Sequence, residues 1–338
     1  MKNEAHITIH QYYQRFALAV VLLFITVAKV NCTVTPDSCP KPSDVKGNIT
    51  GVGSDYSFSA DYKINMHNLS LIDASAIRQF SYYPNLRGAV TFGARYKIFR
   101  LFYTVDVMAN QNYNECFGTT GFNDIEFGIK TRIFWLTAYF SRCKGFYYSD
   151  ESRWYPDFST DSVYGQNPDL LTFELGFRAS IIFNPRYSME AAFEYSEIQN
   201  QSAGAFFLSL NPRYSRISTG ETPLIPLSYE NYFPELSDFE KVSTLSMGFG
   251  LGYGYSIVVG PVNFANAISA GPAFQFSSGH GLRFRIPFDL NARSSLSVNF
   301  KNFYTGVGAS LGIYNQKISK EVIRKNILVF TFRVGIRF

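Results

Sequence analysis

The chain has 338 residues and a formal net charge of +5; aromatic residues make up 17% of it and charged residues another 17%. The mean hydropathy is close to zero, and no long apolar run follows the first 28 residues, which excludes a bundle of transmembrane helices. Abundant Phe and Tyr in short alternating segments are instead typical of a transmembrane β-barrel.

The N-terminus has the pattern of a secretory signal. Lys2 and Arg15 precede an apolar run at residues 16–28, which is shorter than a membrane-spanning helix. We therefore predict a signal peptide at residues 1–28; an uncleaved anchor is the alternative. Residues 29–52 are polar and predict a periplasmic lead-in.

The barrel is expected over residues 53–338, where apolar and polar side chains alternate with the period of a β-strand. Two weaker segments, 76–83 and 205–210, are interpreted as loop hairpins. The sequence thus predicts an all-β fold with about 12 strands, within a range of roughly 10 to 14. The predicted strands are residues 56–66, 90–98, 101–107, 125–133, 135–147, 171–183, 187–195, 245–257, 262–276, 282–290, 296–313 and 328–338.

Short connections alternate with mostly longer ones, which predicts an antiparallel up-and-down barrel with both termini in the periplasm. The tight turns are expected near Phe99 and Phe134 and at residues 184–186, 260–261 and 291–294. The longer links are expected at 67–85, 110–123, 149–168, 196–240, 277–281 and 314–325. An aromatic girdle is predicted beside the tight turns from Phe99, Phe134, Trp135, Phe183 and Tyr187.

The last strand alternates cleanly and ends on Phe338. A terminal amphipathic strand that closes on Phe resembles the assembly signal of outer-membrane barrels. This predicts the outer membrane of a Gram-negative bacterium as the location, and lipid, lipopolysaccharide and the barrel-assembly machinery as partners. No nucleic-acid partner is expected.

Four segments, residues 124–148, 167–170, 183–193 and 199–208, resemble the Bacteroidota outer-membrane barrel family catalogued as domain of unknown function 4421. The resemblance extends over roughly residues 50–338. It implies a barrel in the outer membrane and supplies no activity or catalytic residues.

Charged residues that alternate with apolar ones are the candidates for the barrel interior. The lumen-facing candidates are Glu174, Arg178, Glu190, Glu194, Arg283, Arg285 and Arg333. They are interpreted either as ion pairs that fill a polar interior or as an electropositive constriction for anions. We expect Arg283 and Arg285 to be paired with Glu174, Glu190 or Glu194.

Glycine occupies four successive inward positions, Gly248, Gly250, Gly252 and Gly254. Glycine at these positions leaves space along the wall. Either a neighbouring segment packs against the bare wall, or the strand bends sharply there.

Catalysis and metal binding have weak support. His67 and His280 are the histidines outside the signal, and no third group orients His280 toward Ser277 or Ser278. No cofactor is predicted. Disulfides are candidates within the lead-in, between Cys32 and Cys39, and in the barrel, between Cys116 and Cys143; unpaired thiols are the alternative.

The sequence therefore favours an outer-membrane barrel for passage or binding of a small polar solute or envelope glycan. The alternative is a structural or assembly partner whose long loops dock other envelope proteins. A lipid-modifying hydrolase is the third hypothesis.

Overall fold

The computed structural model describes residues 47–50, 56–73, 79–86, 88–107, 111–131, 133–149, 164–234, 236, 240–278, 283–300, 302–318 and 321–338. The predicted signal, Cys32, Cys39 and His280 lie outside these ranges. Within them, no helix combines the length and hydropathy needed to cross a bilayer.

Antiparallel β-strands dominate the chain. The strands are β1 (Ile49–Thr50), β2 (Tyr56–Ile72), β3 (Gln79–Tyr83), β4 (Ala89–Tyr96), β5 (Phe99–Asp106), β6 (Gly121–Lys130), β7 (Phe134–Ser149), β8 (Gly165–Ile182), β9 (Ile198–Gln199), β10 (Ala203–Ser218), β11 (Lys241–Val259), β12 (Val262–Ser278), β13 (Arg283–Arg285), β14 (Phe288–Asn299), β15 (Phe303–Ile318) and β16 (Glu321–Arg337). Two short α-helices, α1 (Gln111–Phe117) and α2 (Met189–Phe193), and a 3-10 helix (Leu227–Tyr232) lie between strands.

Twelve of these strands form a closed barrel. Their order around the wall is β2, β4, β5, β6, β7, β8, β10, β11, β12, β14, β15 and β16, and β16 pairs with β2 to close the ring. The alternation seen in the sequence sets which face is outward: Phe58 and Phe332 are about half exposed on the outside, while their neighbours Ser57 and Arg333 are buried inside. Exposed apolar side chains surround the barrel and fit a lipid environment.

The predicted number of strands is confirmed, but several placements were wrong. Residues 187–195 leave the wall, because Ser188 caps a helical turn of strong helix formers there. The wall strand is instead β10, which pairs with β8 and β11. It includes the predicted hairpin at 205–210 and lies within the long link predicted at 196–240, which is therefore wrong over residues 203–218. The predicted turn at 291–294 lies inside β14, and the chain turns between Asn299 and Phe303.

We call the end of the barrel that holds Tyr56 and Arg337 the turn end, and the opposite end the loop end. The β4–β5, β6–β7, β11–β12 and β14–β15 connections lie at the turn end and are short. Two connections break the expected pattern. Residues 183–202 form a long segment at the turn end, and the longer link predicted at 314–325 is wrong, because β15 and β16 extend into it and are separated by only two residues at the loop end. At the loop end, β3 pairs with both β2 and β7 and bridges the wall beyond the shorter strands β4, β5 and β6.

Candidate functional site

The long connection at the turn end, residues 183–202, folds into the barrel interior. It carries α2, whose N-terminus is capped by the Ser188 hydroxyl accepting from the Ala191 N–H. This helix contacts β12 and β14, and Tyr187, Ala191 and Ala192 are 0% exposed. We call residues 183–202 the plug.

Two carboxylates of the plug are bound by cations of the wall. The first, Glu194, lies 3.1 Å from Arg100 and 2.9 Å from Arg333. Arg333 also donates two hydrogen bonds to Asp61, at 2.7 and 2.6 Å. Burial alone would raise the pKa of Glu194, but the guanidinium groups of Arg100 and Arg333 outweigh it and lower the pKa to about 2.

The second plug carboxylate, Glu190, lies 2.7 Å from Lys130 Nζ and 4.0 Å from Arg95. It also accepts a hydrogen bond from the Ser196 hydroxyl. Because Glu190 and Lys130 are both 7% exposed, removal of either would leave an uncompensated buried charge. Such a loss costs about 3–5 kcal/mol.

Wall side chains also hold the plug through its backbone. Ser295 and Asn263 donate to carbonyls of α2 at 2.5 and 3.2 Å. Arg337, which is 1% exposed, donates to the carbonyl of Tyr195. The plug is therefore fixed by both its charges and its main chain.

The chain ahead of the barrel reaches the plug as well. β1 pairs antiparallel with β9, which belongs to the plug. The Asn200 side-chain amide adds hydrogen bonds to the Gly47 carbonyl at 3.1 Å and to Thr50 Oγ1 at 2.6 Å. The end of the predicted lead-in thus joins the plug before it joins the wall.

Gly254, one of the inward glycines of β11, provides room for this packing. A Cβ added at Gly254 would lie 2.5 Å from the Tyr187 hydroxyl oxygen, whereas one at Gly252 would meet Phe207 of the neighbouring wall strand β10. A second plug tyrosine, Tyr195, packs against Gly306 of β15 in the same way, with 2.7 Å to an added Cβ. Of the two interpretations of the glycine row, the packing of a neighbouring segment holds at Gly254, whereas Gly248, Gly250 and Gly252 face side chains of the wall.

An apolar layer crosses the interior at the loop end. This apolar cap consists of Leu69, Leu71, Phe80, Tyr82, Leu86, Phe122, Cys143, Phe146, Leu170, Ile217, Leu224, Ile225, Phe233, Leu236, Val242 and Ile323. The hydroxyl of Tyr82 donates to the Leu224 carbonyl at 2.5 Å and joins β3 to the connection at 219–240. The cap packs across the interior at the loop end within the described residues.

Between the plug and the apolar cap lies a chamber of about 250 Å³. Its charged lining residues are Lys63, Asp124, Glu126, Glu174, Arg178, Glu194, Arg213, Arg293, Lys325 and Arg333. Ion pairs join Arg178 to Glu126 at 2.9 Å, Lys325 to Glu174 at 3.0 Å, and Arg213 to Asp289 at 3.2 Å. Most of the interior charge is therefore neutralised in the wall itself.

Three charged groups of the chamber differ from the rest. In the part of the chain that the structure describes, Lys63, Asp124 and Arg293 have no group of opposite charge within 4.0 Å. Two of the three are cations. The chamber therefore offers polar groups that are free to contact a solute.

A smaller cavity of about 110 Å³ lies beside the chamber and shares Glu126, Arg178, Glu194 and Arg293 with its lining. Its apolar lining includes Trp135, Met189, Phe193, Phe207 and Ala267. We call it the side cavity.

The predicted lumen residues have mixed locations. Glu174, Arg178 and Arg333 line the chamber from the wall, whereas Glu190 and Glu194 face the interior from the plug. Arg285 donates to the Phe284 carbonyl, and the side chain of Arg283 lies outside the described residues. The expected pairing of Arg285 is not formed, because Glu174, Glu190 and Glu194 are bound to other cations.

Other predicted features also changed. Phe99, Phe134 and Phe183 are exposed at the turn end as a girdle requires, but Trp135 is 7% exposed and Tyr187 0%, and both face the interior. Cys116 and Cys143 are buried and are not joined in a disulfide. Each packs in a different apolar cluster, so the expected disulfide is not formed.

Chemistry at His67 gains no support. His67 lies in the chamber wall and contacts the ring of Phe122, with 5.9 Å between ring centroids. Among the described residues, no group of three or more His, Cys, Asp or Glu side chains is arranged to hold a metal ion.

Sequence reasoning missed the plug. Its signal was present, since Met189, Glu190, Ala191 and Ala192 favour a helix and follow a capping Ser188. The alternation of Tyr187, Met189, Ala191 and Phe193 concealed it, because a short apolar alternation is also typical of a strand.

The fold and its filled interior define a closed, plugged transmembrane β-barrel. The sequence profile of the family described as domain of unknown function DUF4421 matches residues 55–338, and the chain belongs to that family. No curated protein matches the chain.

Solved outer-membrane barrels resemble the chain at low identity. They include the outer membrane protease OmpT from Escherichia coli (6% identity, 90% of this chain and 100% of that chain, TM-score 0.40). The translocator domain of the autotransporter NalP from Neisseria meningitidis has 10% identity over 84% of this chain and 89% of its own, with a TM-score of 0.42. The β domain of the Bordetella autotransporter BrkA has 11% identity over 84% of this chain and 100% of its own, with a TM-score of 0.39.

Proposed function

We propose that the protein is a gated outer-membrane transporter that binds a small polar solute in its chamber. The observation that carries the proposal is the position of a polar, charged chamber between two closures, the plug and the apolar cap. The plug is a connection between strands, so it can move while β8 and β10 stay paired. A few convergent polar groups in an enclosed volume are what a solute site requires.

We place the turn end in the periplasm and the loop end outside, because outer-membrane barrels have short periplasmic turns. Both termini then lie in the periplasm, and the outer belt contacts lipid and lipopolysaccharide. Protease added to intact cells should cut within residues 219–240 and spare residues 97–98. Cleavage at 97–98 in intact cells would invert this orientation.

The gate is tested by conductance in planar bilayers. The variant replaces residues 184–201 by a short Gly-Ser linker, and heat-modifiable migration on a gel verifies that its barrel is folded. We expect the wild type to be closed for most of the recording and the variant to give steady open steps. A folded variant that stays silent, or a wild type that conducts as steadily as the variant, contradicts the proposal. If the variant does not fold, Glu194→Gln serves the same test.

A barrel that is closed at both ends also suits a structural partner of other envelope proteins. The apolar cap favours this second function, since it seals the external end with side chains that are 0–8% exposed. Silence of both the wild type and the folded linker variant would support the structural function.

A further inference from the structure

We propose that the preferred solute is a small monoanion with an apolar body, bound by Arg293 and seated in the side cavity against Trp135. The inference rests on the proposed function of the chamber as a solute site and specifies the chemical class of the solute.

The charge of the site indicates an anion. The charged residues that line the side cavity are Arg100, Glu126, Arg178, Glu194 and Arg293. Glu126 neutralises Arg178 and Glu194 neutralises Arg100, so Arg293 is left as one positive charge. A single guanidinium that faces a cavity matches one carboxylate, which it binds through two parallel hydrogen bonds.

Arg293 is free to make this contact. Among the described residues, its guanidinium makes no hydrogen bond and has no carboxylate within 4.0 Å. It lies 5.6 Å from the centroid of the Trp135 ring, and it lines both the chamber and the side cavity. A solute can therefore meet Arg293 from the chamber while the rest of it enters the side cavity.

Trp135 supplies an independent indication of a ligand. Its side chain is 93% buried, given the 7% exposure of the residue, and its indole N–H has no partner among the described residues. A buried donor without a partner is uncommon and costs free energy unless a ligand or water satisfies it. The indole N–H can donate to a polar atom of the solute.

The volume and lining set the size of the apolar body. The side cavity measures about 110 Å³ and includes Met189, Phe207 and Ala267. A cavity of about 150 Å³ lined by apolar side chains holds benzene. The side cavity is smaller, but it shares lining residues with the chamber, so a ring seated there can extend into the chamber. A single aromatic ring or a short branched chain fits it, and a bulky glycan does not.

Benzoate is the probe, because it combines one carboxylate with one ring. The chain has two tryptophans, Trp135 and Trp154, so the Trp154→Phe variant reports on Trp135 alone. Benzoate should change the tryptophan fluorescence of this folded variant in detergent with a saturable dependence. Benzamide, which has the same shape without the charge, and acetate, which lacks the ring, should each bind at least about tenfold more weakly.

Two substitutions in the same background locate the site. Arg293→Gln should weaken benzoate binding about tenfold and leave benzamide binding unchanged. Ser269 lines the side cavity, so Ser269→Leu should fill it and abolish the fluorescence change caused by benzoate. Ser310 lines the chamber but not the side cavity, so the matched control Ser310→Leu should preserve that change.

Heat-modifiable migration verifies folding of each variant. If benzoate gives no saturable change, if benzamide binds equally well, or if Arg293→Gln binds benzoate like its parent, the inference is overturned. The measurement needs no open channel, so it is separate from the test of the gate. If benzoate binds but the linker variant does not conduct, the anion site is supported and transport is refuted. If the linker variant conducts but benzoate does not bind, transport is supported and the anion site is refuted.

Discussion

Replacing Glu194 by glutamine should release the plug while the barrel wall stays folded. The Glu194 side chain is 14% exposed and contacts both Arg100 and Arg333. Arg333 keeps Asp61 in the variant, so Arg100 is the cation that loses its partner. A folded pKa of about 2 against 4.5 for an ordinary glutamate corresponds to about 3 kcal/mol. This agrees with the cost of about 3–5 kcal/mol for breaking a buried ion pair.

A loss of about 3 kcal/mol shifts the equilibrium between seated and released plug by about a hundredfold. Single-channel recording should show a rise of that order in the ratio of open to closed time. The matched control is Glu174→Gln, which breaks a buried pair with Lys325 at 3.0 Å in the wall without touching the plug. The reasoning fails if Glu174→Gln opens the barrel as often as Glu194→Gln, or if neither opens it.

Three further predictions concern acid, assembly and packing. Acidification from about pH 5 to pH 2 should loosen the plug. The lowered pKa of Glu194 stabilises the seated plug fully above the ordinary pKa of a glutamate, and this stabilisation is lost as the pH falls through the folded pKa. Channel opening should therefore rise at low pH in the wild type, and this pH dependence should be weaker in Glu194→Gln. Deletion of Phe338 should lower the outer-membrane level of the protein, measured in membrane fractions, and normal heat-modifiable migration of the deletion would refute the assembly signal. Gly254→Ala should raise channel opening, because its Cβ meets Tyr187 at 2.5 Å, while Gly248→Ala, with 3.4 Å to its nearest neighbour, should leave opening unchanged.

The barrel wall was predictable because each wall strand has one face toward an apolar surrounding and one toward a polar interior. That contrast forces a period of two, as in β2 and β16, and the sequence shows it directly. Strand ends were harder to predict, since β14 and β15 carry Ser and Gly on their inward faces. The residues at 291–294 therefore have the composition of a turn although they pair with β12 and β15.

The plug and the pairs around it were not predictable in the same way. The sequence marks Glu190 and Glu194 as interior charges, but it does not show that they arrive on a helix from the turn end. Their partners, Lys130, Arg100 and Arg333, come from β6, β5 and β16, and contacts between such distant segments have no local pattern. The sequence does not show that Arg293 lacks a carboxylate partner, because this follows only from the partners that the structure gives to the other cations.

The pairing of β1 with β9 connects the chain ahead of the barrel directly to the plug. The described residues 47–50 hold the plug through two-residue strand pairing and the side chain of Asn200. Tension on the chain ahead of Gly47 would therefore load β9 before the wall. Only a few hydrogen bonds hold β1 to the plug, whereas β2 and β16 are paired along almost their whole length. A pull on the chain at Gly47 would therefore reach the plug before it reached the wall.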